Sequence, residues 1–337
     1  MTQRQETPGR TPQMARGSGE PPYLFIVGCA RSGTTLLHRI VDAHPMVTIT
    51  PEIHWISKRP GVAGGRDEPL VTPEVVSELA DHKRFSQFGL DREAFEGLLG
   101  PGESVPYREF LGRLFELCGR VSEKPLVGNK TPSYVRHLRE LHGSWPEARF
   151  AHIVRDGRDV CLSVLGWKKV GKILGRYTTW EEDPVSTAAL WWERKVRAGH
   201  EAGAALGPDL YHEMRYEDLI LDPESECRAL CESLDLPYDA AMVRFSEGKT
   251  RTDLTGARRT PKKAWLPVTS GLRDWRTEME IGDVERFEAV AGDLLDDFGY
   301  ERAFRESRPE AMEHAARMRE SFIRDVRARA ERSPGRT

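Results

Sequence analysis

The chain has 337 residues, with 50 Lys and Arg against 53 Asp and Glu, so its formal net charge is −3. This near balance gives no support for a nucleic-acid partner, and any basic surface must be local. No stretch approaches the ~20 apolar residues of a membrane span, and residues 1–20 contain no apolar run of signal-peptide length. We therefore expect a disordered segment over 1–20, no membrane partner and a cytoplasmic location.

The five cysteines are an odd number without regular spacing, which argues against a disulfide framework and fits a reducing compartment. Cys227 and Cys231 are one helical turn apart, but we interpret them as small apolar helix residues rather than metal ligands. No Cys/His cluster has the spacing of a zinc site, so we predict no metal.

The first predicted strand, 24–27, runs into a glycine-containing loop and a predicted helix over 34–43. Gly28 and Gly33, with four residues between them, give the loop the outline of a phosphate-binding P-loop. In such a loop, backbone N–H groups at a helix N-terminus face an anion. Thr34 stands where nucleotide triphosphatases have lysine, which disfavours ordinary Mg-ATP. Arg31 is predicted to supply the cation instead. The other predicted ligands are Ser32, Gly33, Thr34 and Thr35.

A short predicted strand, 47–50, delivers Glu52, which either takes part in the chemistry or forms a structural ion pair with Arg31 or Lys130. Residues 61–102 are interpreted as an insertion that contacts substrate, as is the stretch 168–180, and 61–66 as a mobile loop. Helices are predicted over 107–118 and 133–141. Between them, Lys130 precedes a Thr-Pro turn, and it either reaches the site or only extends its stem along the surface.

A second anion site is predicted where the buried strand 149–154 runs into Arg155 and a helix over 160–167 that carries Ser163. An Arg at a strand end and a Ser on the second turn of the next helix can converge on one phosphate. In a parallel sheet, both anion sites lie at the carboxyl edge of the strands. Two separated sites favour a nucleotide with phosphates at both ends.

The remaining patterns continue the alternation of strands and helices, which favours one α/β domain over 21–304. A long helix over 185–205 bears Trp191 and Trp192, both interpreted as core residues. The charged segment 305–337 is predicted to be a helical or disordered tail. The other predicted elements are a strand over 210–214 and helices over 224–234 and 283–298.

Three motifs together resemble those of sulfotransferases that use 3′-phosphoadenosine 5′-phosphosulfate (PAPS). The loop beginning at Arg31 resembles their 5′-phosphosulfate loop, and Arg155 with Ser163 resembles their 3′-phosphate motif. The segment Arg-Tyr-Glu-Asp-Leu at 215–219 is the third match; in the family it brings a tyrosine, here Tyr216, beside the adenosine. The resemblance implies PAPS as cofactor and a single P-loop-like domain with a central parallel sheet flanked by helices.

The variant most similar to this chain is the protein-tyrosine sulfotransferase branch with its bacterial relatives, on the segments 31–37, 42–45 and 128–132. That resemblance implies Glu52 as the general base, with Lys130 and Arg31 assisting the transferring group. A late basic segment often closes over the 3′-phosphate in the family, and Arg273 is our candidate for it. The chain departs from the branch in having Thr50-Pro51 before Glu52, where the branch has a further acidic residue. The peptide-binding residues of the branch are not matched in this sequence.

The predicted function is transfer of a sulfuryl group from PAPS to a hydroxyl-bearing acceptor: a small molecule, a carbohydrate or a peptide tyrosine. Two alternatives are a P-loop nucleotide kinase and a non-catalytic adenine-nucleotide-binding module. Eukaryotic protein-tyrosine sulfotransferases carry a membrane anchor, so the lack of one here predicts a soluble, bacterial enzyme. A homodimer is left open.

Overall fold

The computed structural model describes residues 23–58, 69–247 and 273–332. The strands of its main sheet are β1 (Leu24–Gly28), β2 (Val47–Thr50), β5 (Leu126–Lys130), β6 (Arg149–Val154) and β7 (Tyr211–Arg215). They lie in the order β2-β5-β1-β6-β7, and each neighbouring pair is parallel. A separate antiparallel ribbon consists of β3 (Leu70–Val71) and β4 (Val105–Pro106). A parallel sheet flanked by helices confirms the predicted fold class.

Helices connect and cover these strands. In chain order they are α1 (Thr34–Asp42), α2 (Trp55–Lys58), α3 (Pro73–Asp81), α4 (Arg92–Glu96), α5 (Tyr107–Ser122), α6 (Leu138–Ser144), α7 (Gly157–Leu165), α8 (Val170–Ile173), α9 (Thr179–Glu182), α10 (Pro184–Leu206), α11 (Tyr216–Leu221), α12 (Pro223–Ser233), α13 (Trp275–Glu278), α14 (Ile281–Asp297) and α15 (Pro309–Glu331), with 3-10 turns at Phe85–Gln87 and Pro132–Arg136. None of the helices in the described ranges is both long enough and apolar enough to cross a membrane.

The central strand β1 is buried on both faces, as its unbroken apolar run predicts. Phe25 and Val27 join the core cluster formed with α5 and the second 3-10 turn, whereas Leu24 and Ile26 join the one formed with α1 and α12. Alternate side chains of a strand point to opposite faces, so one five-residue strand anchors both layers. This anchoring fixes the loop that follows β1.

The carboxyl ends of the five parallel strands each lead to a candidate site residue. Arg31 follows β1, Glu52 follows β2, Lys130 ends β5, Arg155 follows β6 and Tyr216 follows β7. Ligands of open parallel sheets bind at this edge. The topology therefore brings residues more than 180 positions apart in sequence to one edge of the molecule.

The part of the predicted insertion that the structure describes, 69–102, is packed into the core. Phe88 and Phe95 lie against Trp55, with ring centroids 5.5 and 6.4 Å apart. The predicted mobile loop at 61–66 lies outside the described residues. The segment 69–102 is therefore a structural part of the domain. Its helices are short and have few periodic apolar positions, so the sequence did not indicate this packing.

The segment beyond 304 also packs against the domain over part of its length. Met318 and Phe322 of α15 are buried in the cluster that includes α10 and α14, and Arg319 pairs with Glu193 of α10 (Nη1 to Oε2, 2.6 Å). Many residues of α15 are charged, so the sequence did not reveal the narrow apolar stripe by which the helix packs against the domain. The domain boundary at 304 stays a prediction, and the predicted disordered segment 1–20 lies outside the described residues.

Candidate active site

The loop after β1 has backbone geometry suited to an anion. Gly33 has φ = 94°, and a Cβ there would lie 2.4 Å from the Tyr216 ring, so both conformation and space require glycine. Arg31 also has a positive φ, 78°, which is uncommon for a residue with a Cβ. Such strain in a non-glycine residue is found where surrounding structure enforces it, often at functional sites.

Several hydrogen-bond donors of this loop have no acceptor within the described ranges. Helix α1 begins after Gly33 and has no side-chain cap, so the N–H groups of its first turn lack intrahelical partners. The Ser32 hydroxyl is fully buried and has no hydrogen-bond partner among the described residues. Thr34 is buried and Thr35 exposed, and both line the adjoining cleft. The loop thus offers unsatisfied donors, as binding of a phosphate or phosphosulfate group requires.

The predicted second anion site lies beside the first. Arg31 Nε donates to Ser163 Oγ at 2.9 Å. Burial, and then the neighbouring guanidinium groups of Arg273 and Arg155, lower the pKa of Arg31. Three cations from three separate segments therefore converge, and a polyanionic ligand would relieve their repulsion.

Arg155 is held in place by protein partners rather than by Ser163. Its Nη2 donates to Asp159 Oδ2 at 3.0 Å, and its guanidinium carbon lies 4.5 Å from the centroid of the Tyr216 ring. Trp192 Nε1 donates to the Arg155 carbonyl at 3.1 Å. Asp159 and Trp192 thus fix Arg155, and Tyr216 is buried at the base of the loop, with its ring against Gly33.

The segment that carries Arg273 is tied to α7. The Trp275 N–H donates to Asp159 Oδ1 at 3.0 Å, and the Trp275 ring lies 3.6 Å from the guanidinium carbon of the buried Arg158. Arg273 Nη1 is 3.5 Å from Glu278 Oε2. These contacts explain how a residue late in the chain reaches Arg31. The basic residues that precede Arg273 in sequence, Arg258, Arg259, Lys262 and Lys263, lie outside the described residues.

Glu52 and Lys130 form the central polar pair of the site. Lys130 Nζ lies 2.6 Å from Glu52 Oε1, and the Lys130 side chain is 6% exposed against 38% for Glu52. Burial acts to raise the pKa of Glu52, but Lys130, Arg84 and His54 outweigh it, so the pKa lies below its ordinary value. Glu52 is therefore ionised at neutral pH and can accept a proton.

Hydrogen bonds between the exits of β2 and β5 hold this pair in register. Thr131 Oγ1 donates to the Ile53 carbonyl at 2.9 Å and accepts from the Ile53 N–H at 3.2 Å, and the Tyr134 hydroxyl donates to the same carbonyl at 2.6 Å. Arg84 Nη1 donates to the Glu52 carbonyl at 2.6 Å. Sequence reasoning missed these positioning roles. Thr131 lies in the segment 128–132 that resembles the family motif. Arg84 lies in the predicted insertion 61–102, and no sequence pattern there indicates a role in the site.

A cleft of about 840 Å³ adjoins the loop, and Arg31, Glu52 and His54 line it. Trp167, Tyr177 and Trp191 contribute aromatic walls, so Trp191 is not only a core residue as predicted. The predicted substrate-contacting stretch 168–180 does supply lining residues. They are Ile173, Arg176 and Tyr177.

Within the described ranges, no group of three or more His, Cys, Asp or Glu side chains is arranged to hold a metal ion. Asp156 caps α7 by accepting from the Arg158 N–H, whereas Asp159 binds Arg155 and the Trp275 N–H. All five cysteines are free and buried, and Cys227 and Cys231 belong to the core cluster beside α12.

Comparison with known proteins agrees with this geometry. The model of the Sulfotransferase family matches residues 22–240. A protein-tyrosine sulfotransferase of Drosophila melanogaster is 26% identical over 286 residues, which are 84% of this chain and 52% of that protein. Protein-tyrosine sulfotransferase 1 of Danio rerio is 28% identical over 294 residues, 83% of this chain and 72% of that protein. The chain thus spans about half the length of the fly relative.

Among solved structures, the sulfotransferase domain from the Synechococcus PCC 7002 olefin synthase is similar in fold. Its TM-score is 0.56 at 22% identity, with 89% of this chain and 99% of that chain covered. The family match covers more than half of the sequence and includes the loop, both anion-site motifs and Tyr216. The chain therefore belongs to the sulfotransferase family and is an enzyme of that class.

Proposed function

We propose that the chain transfers a sulfuryl group from PAPS to the hydroxyl of an acceptor, with Glu52 as the general base. The 2.6 Å contact between Lys130 Nζ and Glu52 Oε1, in the cleft that also exposes Arg31, carries this proposal. Glu52 and Arg31 line the same cleft and Lys130 contacts Glu52, which supports a reaction centre with a proton acceptor and two cations. The family match and the tyrosine sulfotransferases among the relatives support the class of reaction.

The residues present fit a nucleotide with two phosphate groups. Ser32, Gly33, Thr34 and Thr35 with Arg31 would hold the 5′-phosphosulfate, as the unpartnered Ser32 hydroxyl supports. Arg155, Ser163 and Arg273 would hold the 3′-phosphate, and Tyr216 would lie near the adenosine. Bound PAPS supplies an activated sulfuryl group, and the product nucleotide is adenosine 3′,5′-bisphosphate.

Glu52 would take the proton of the acceptor hydroxyl as its oxygen attacks sulfur in line with the leaving phosphate. Arg31, Lys130 and the loop N–H groups would stabilise the charge that develops on the leaving oxygen. When Lys130 donates to the sulfuryl oxygens instead of to Glu52, the pKa of Glu52 rises, because burial is then opposed by fewer cations. The carboxylate would thereby become a stronger base when PAPS is bound.

The nucleotide kinase and the idle binding module are tested against this proposal by nucleotide preference and turnover. We expect adenosine 3′,5′-bisphosphate to raise the melting temperature and ATP with Mg²⁺ to leave it nearly unchanged, because a ligand stabilises only the state that binds it. A larger shift with Mg-ATP would support the kinase. Transfer is tested by incubating the enzyme with PAPS and host extracts and analysing the products by mass spectrometry. Binding of the bisphosphate without transfer to any acceptor would support the idle module.

A further inference from the structure

The wall of the cleft away from the nucleotide residues carries a second set of positive charges. We call Arg136, Arg176, Arg194 and Lys195 the cation cluster; they come from the second 3-10 turn, the segment between α8 and α9, and α10. Arg329 of α15 lines the same cleft. Glu52 is the single carboxylate among the described residues that line it. This excess contrasts with the net charge of −3 for the whole chain.

The cation cluster lacks the compensation that similar residues have elsewhere. Among the described residues, no carboxylate forms an ion pair with Arg136 or Lys195, and Arg136 Nε is buried without a hydrogen-bond partner. On the same α10 helix, Arg197 pairs with Glu193 at 3.2 Å, and Arg319 of α15 pairs with that carboxylate too. Arg197 and Arg319, outside the cleft, thus share the carboxylate of Glu193, whereas Arg136 and Lys195 inside it have no carboxylate partner among the described residues.

Mutual repulsion within the cluster is visible in its proton affinities. Burial, and then Arg194, lower the pKa of Arg136. Burial also lowers the pKa of Lys195 to about 8, and the arginines of the cluster act in the same direction. Arg136 and Lys195 are half-buried, whereas Arg176 and Arg194 are exposed. Holding like charges next to the two half-buried cations is unfavourable unless a ligand compensates them.

The shape and lining of the cleft limit what that ligand is. Its volume of about 840 Å³ is in the range of small-molecule sites, roughly 300–1,000 Å³. Trp191 adds a buried Nε1–H that has no hydrogen-bond partner in the described part of the chain, and Lys195 Nζ lies 4.8 Å from the centroid of its ring. The walls therefore combine aromatic surface with unsatisfied donors.

From these observations we infer that the acceptor is a small hydroxylated molecule bearing a carboxylate or phosphate group, which the cation cluster binds while the hydroxyl faces Glu52. This inference rests on the proposed function and names the acceptor class for the same cleft. The nucleotide phosphates have their own ligands, Arg31 and Arg155, so the cluster is left for the acceptor. A neutral sugar would leave these charges uncompensated.

The test compares an acidic probe with its neutral counterpart on enzyme saturated with adenosine 3′,5′-bisphosphate. Calorimetric titration at constant ionic strength measures the affinities of 4-hydroxyphenylpropanoate and of its carboxamide. We expect the acid to bind at least ~10-fold more tightly, because charge-assisted hydrogen bonds are about twice as strong as neutral ones. Equal affinities, or no measurable binding of the acid, would overturn the inference.

Variants separate the cation cluster from general charge effects. The double substitution Arg136→Gln with Arg194→Gln should reduce the preference for the acid to about one and leave the affinity for the bisphosphate unchanged. Arg197→Gln, on the same helix but outside the cleft, is the matched control and should keep the preference. A preference that survives in the double variant would overturn the assignment.

Two further outcomes are distinguishable. In the first, an acidic tyrosine peptide binds more tightly than the small acid and loses that affinity in the same double variant. This result would identify a peptide as the acceptor and overturn the inferred acceptor class. Failure of the bisphosphate itself to bind would reject the proposed function, and the inference with it. Bisphosphate binding without acid preference would reject the inference alone.

Discussion

The nucleotide half of the site, around Arg155, and the acceptor half, which is the cleft, differ in how far their positive charge is compensated. In the nucleotide half, Arg155 pairs with Asp159 at 3.0 Å, and the buried Arg158 pairs with Glu288 at 2.6 Å. In the acceptor half, the cation cluster has no described carboxylate partner. Arg155 is therefore positioned by the protein before a ligand arrives, whereas the cation cluster, like Arg31 beside it, has no carboxylate partner among the described residues and is completed by the ligand. Substitutions in the two halves should accordingly fail in different ways.

The largest effect is expected in the nucleotide half, from Arg31→Ala and Arg155→Ala. Each removes the main cation of one phosphate site and leaves anionic oxygens in a desolvated cleft, so affinity for adenosine 3′,5′-bisphosphate should fall by orders of magnitude. Calorimetric titration measures this. For Arg155→Ala, the preference for nucleotides with a 3′-phosphate should also vanish.

The exposed Arg228 of α12, paired with Glu224, provides the control for these two variants. Arg228→Ala should bind the bisphosphate as the wild type does. Unchanged affinity in Arg31→Ala or Arg155→Ala would show that the residue does not bind the nucleotide, and would contradict the proposed difference between the two halves.

The next largest effect is expected where the halves meet, from Glu52→Gln. Gln preserves the shape and cannot take the proton, so turnover should fall at least ~100-fold, the lower end of general-base contributions. Bisphosphate affinity should be retained, because Glu52 does not contact the predicted phosphate ligands. Rates with PAPS and a phenolic acceptor are the measurement. Turnover near the wild-type value would move the search for the base to His54, which lines the same cleft.

The contrast between the halves also explains what the sequence could predict. The strands 47–50 and 149–154 and the loop around Arg31 follow from local patterns, because β-branched and apolar residues are enriched in strands and P-loops need glycines at fixed spacing. The nucleotide half is built from such motifs. Its candidate residues could therefore be named in advance, although the pairing of Arg155 with Asp159 rather than Ser163 could not.

The acceptor half depends on residues that are adjacent only in the folded chain. Arg136, Arg194 and Arg329 come from three separate elements, and none lies in a recognisable motif. Helix α15 reads as a charged tail because only one narrow stripe, with Met318 and Phe322, is apolar. Which arginines lose their carboxylate partners is decided by tertiary packing, which no spacing rule encodes.

A smaller effect is expected from Arg84→Gln, a positioning change. The positive charge of Arg84 helps to lower the pKa of Glu52, so its removal should raise that pKa and move the acidic limb of the kcat/KM profile to higher pH. Turnover at neutral pH should fall by less than about tenfold, since a single hydrogen bond contributes on the order of 1 kcal/mol. Exposed Arg92→Gln, in the same segment, should leave the limb in place; an unmoved limb in Arg84→Gln would reject the electrostatic role.

The smallest effect is expected from chelation: sulfuryl transfer should survive EDTA with little loss. A transferring sulfuryl group carries less charge than a terminal phosphoryl group, so fixed cations and N–H groups can stabilise it without Mg²⁺. The loop has Thr34 at the position of the P-loop lysine. The positive charge near the loop comes from Arg31, Arg155 and Arg273 instead. Initial rates with PAPS before and after exhaustive chelation, with Mg²⁺ added back, provide the measurement. Complete loss that Mg²⁺ restores would contradict a nucleotide half organised by its own guanidinium groups and would favour the kinase alternative.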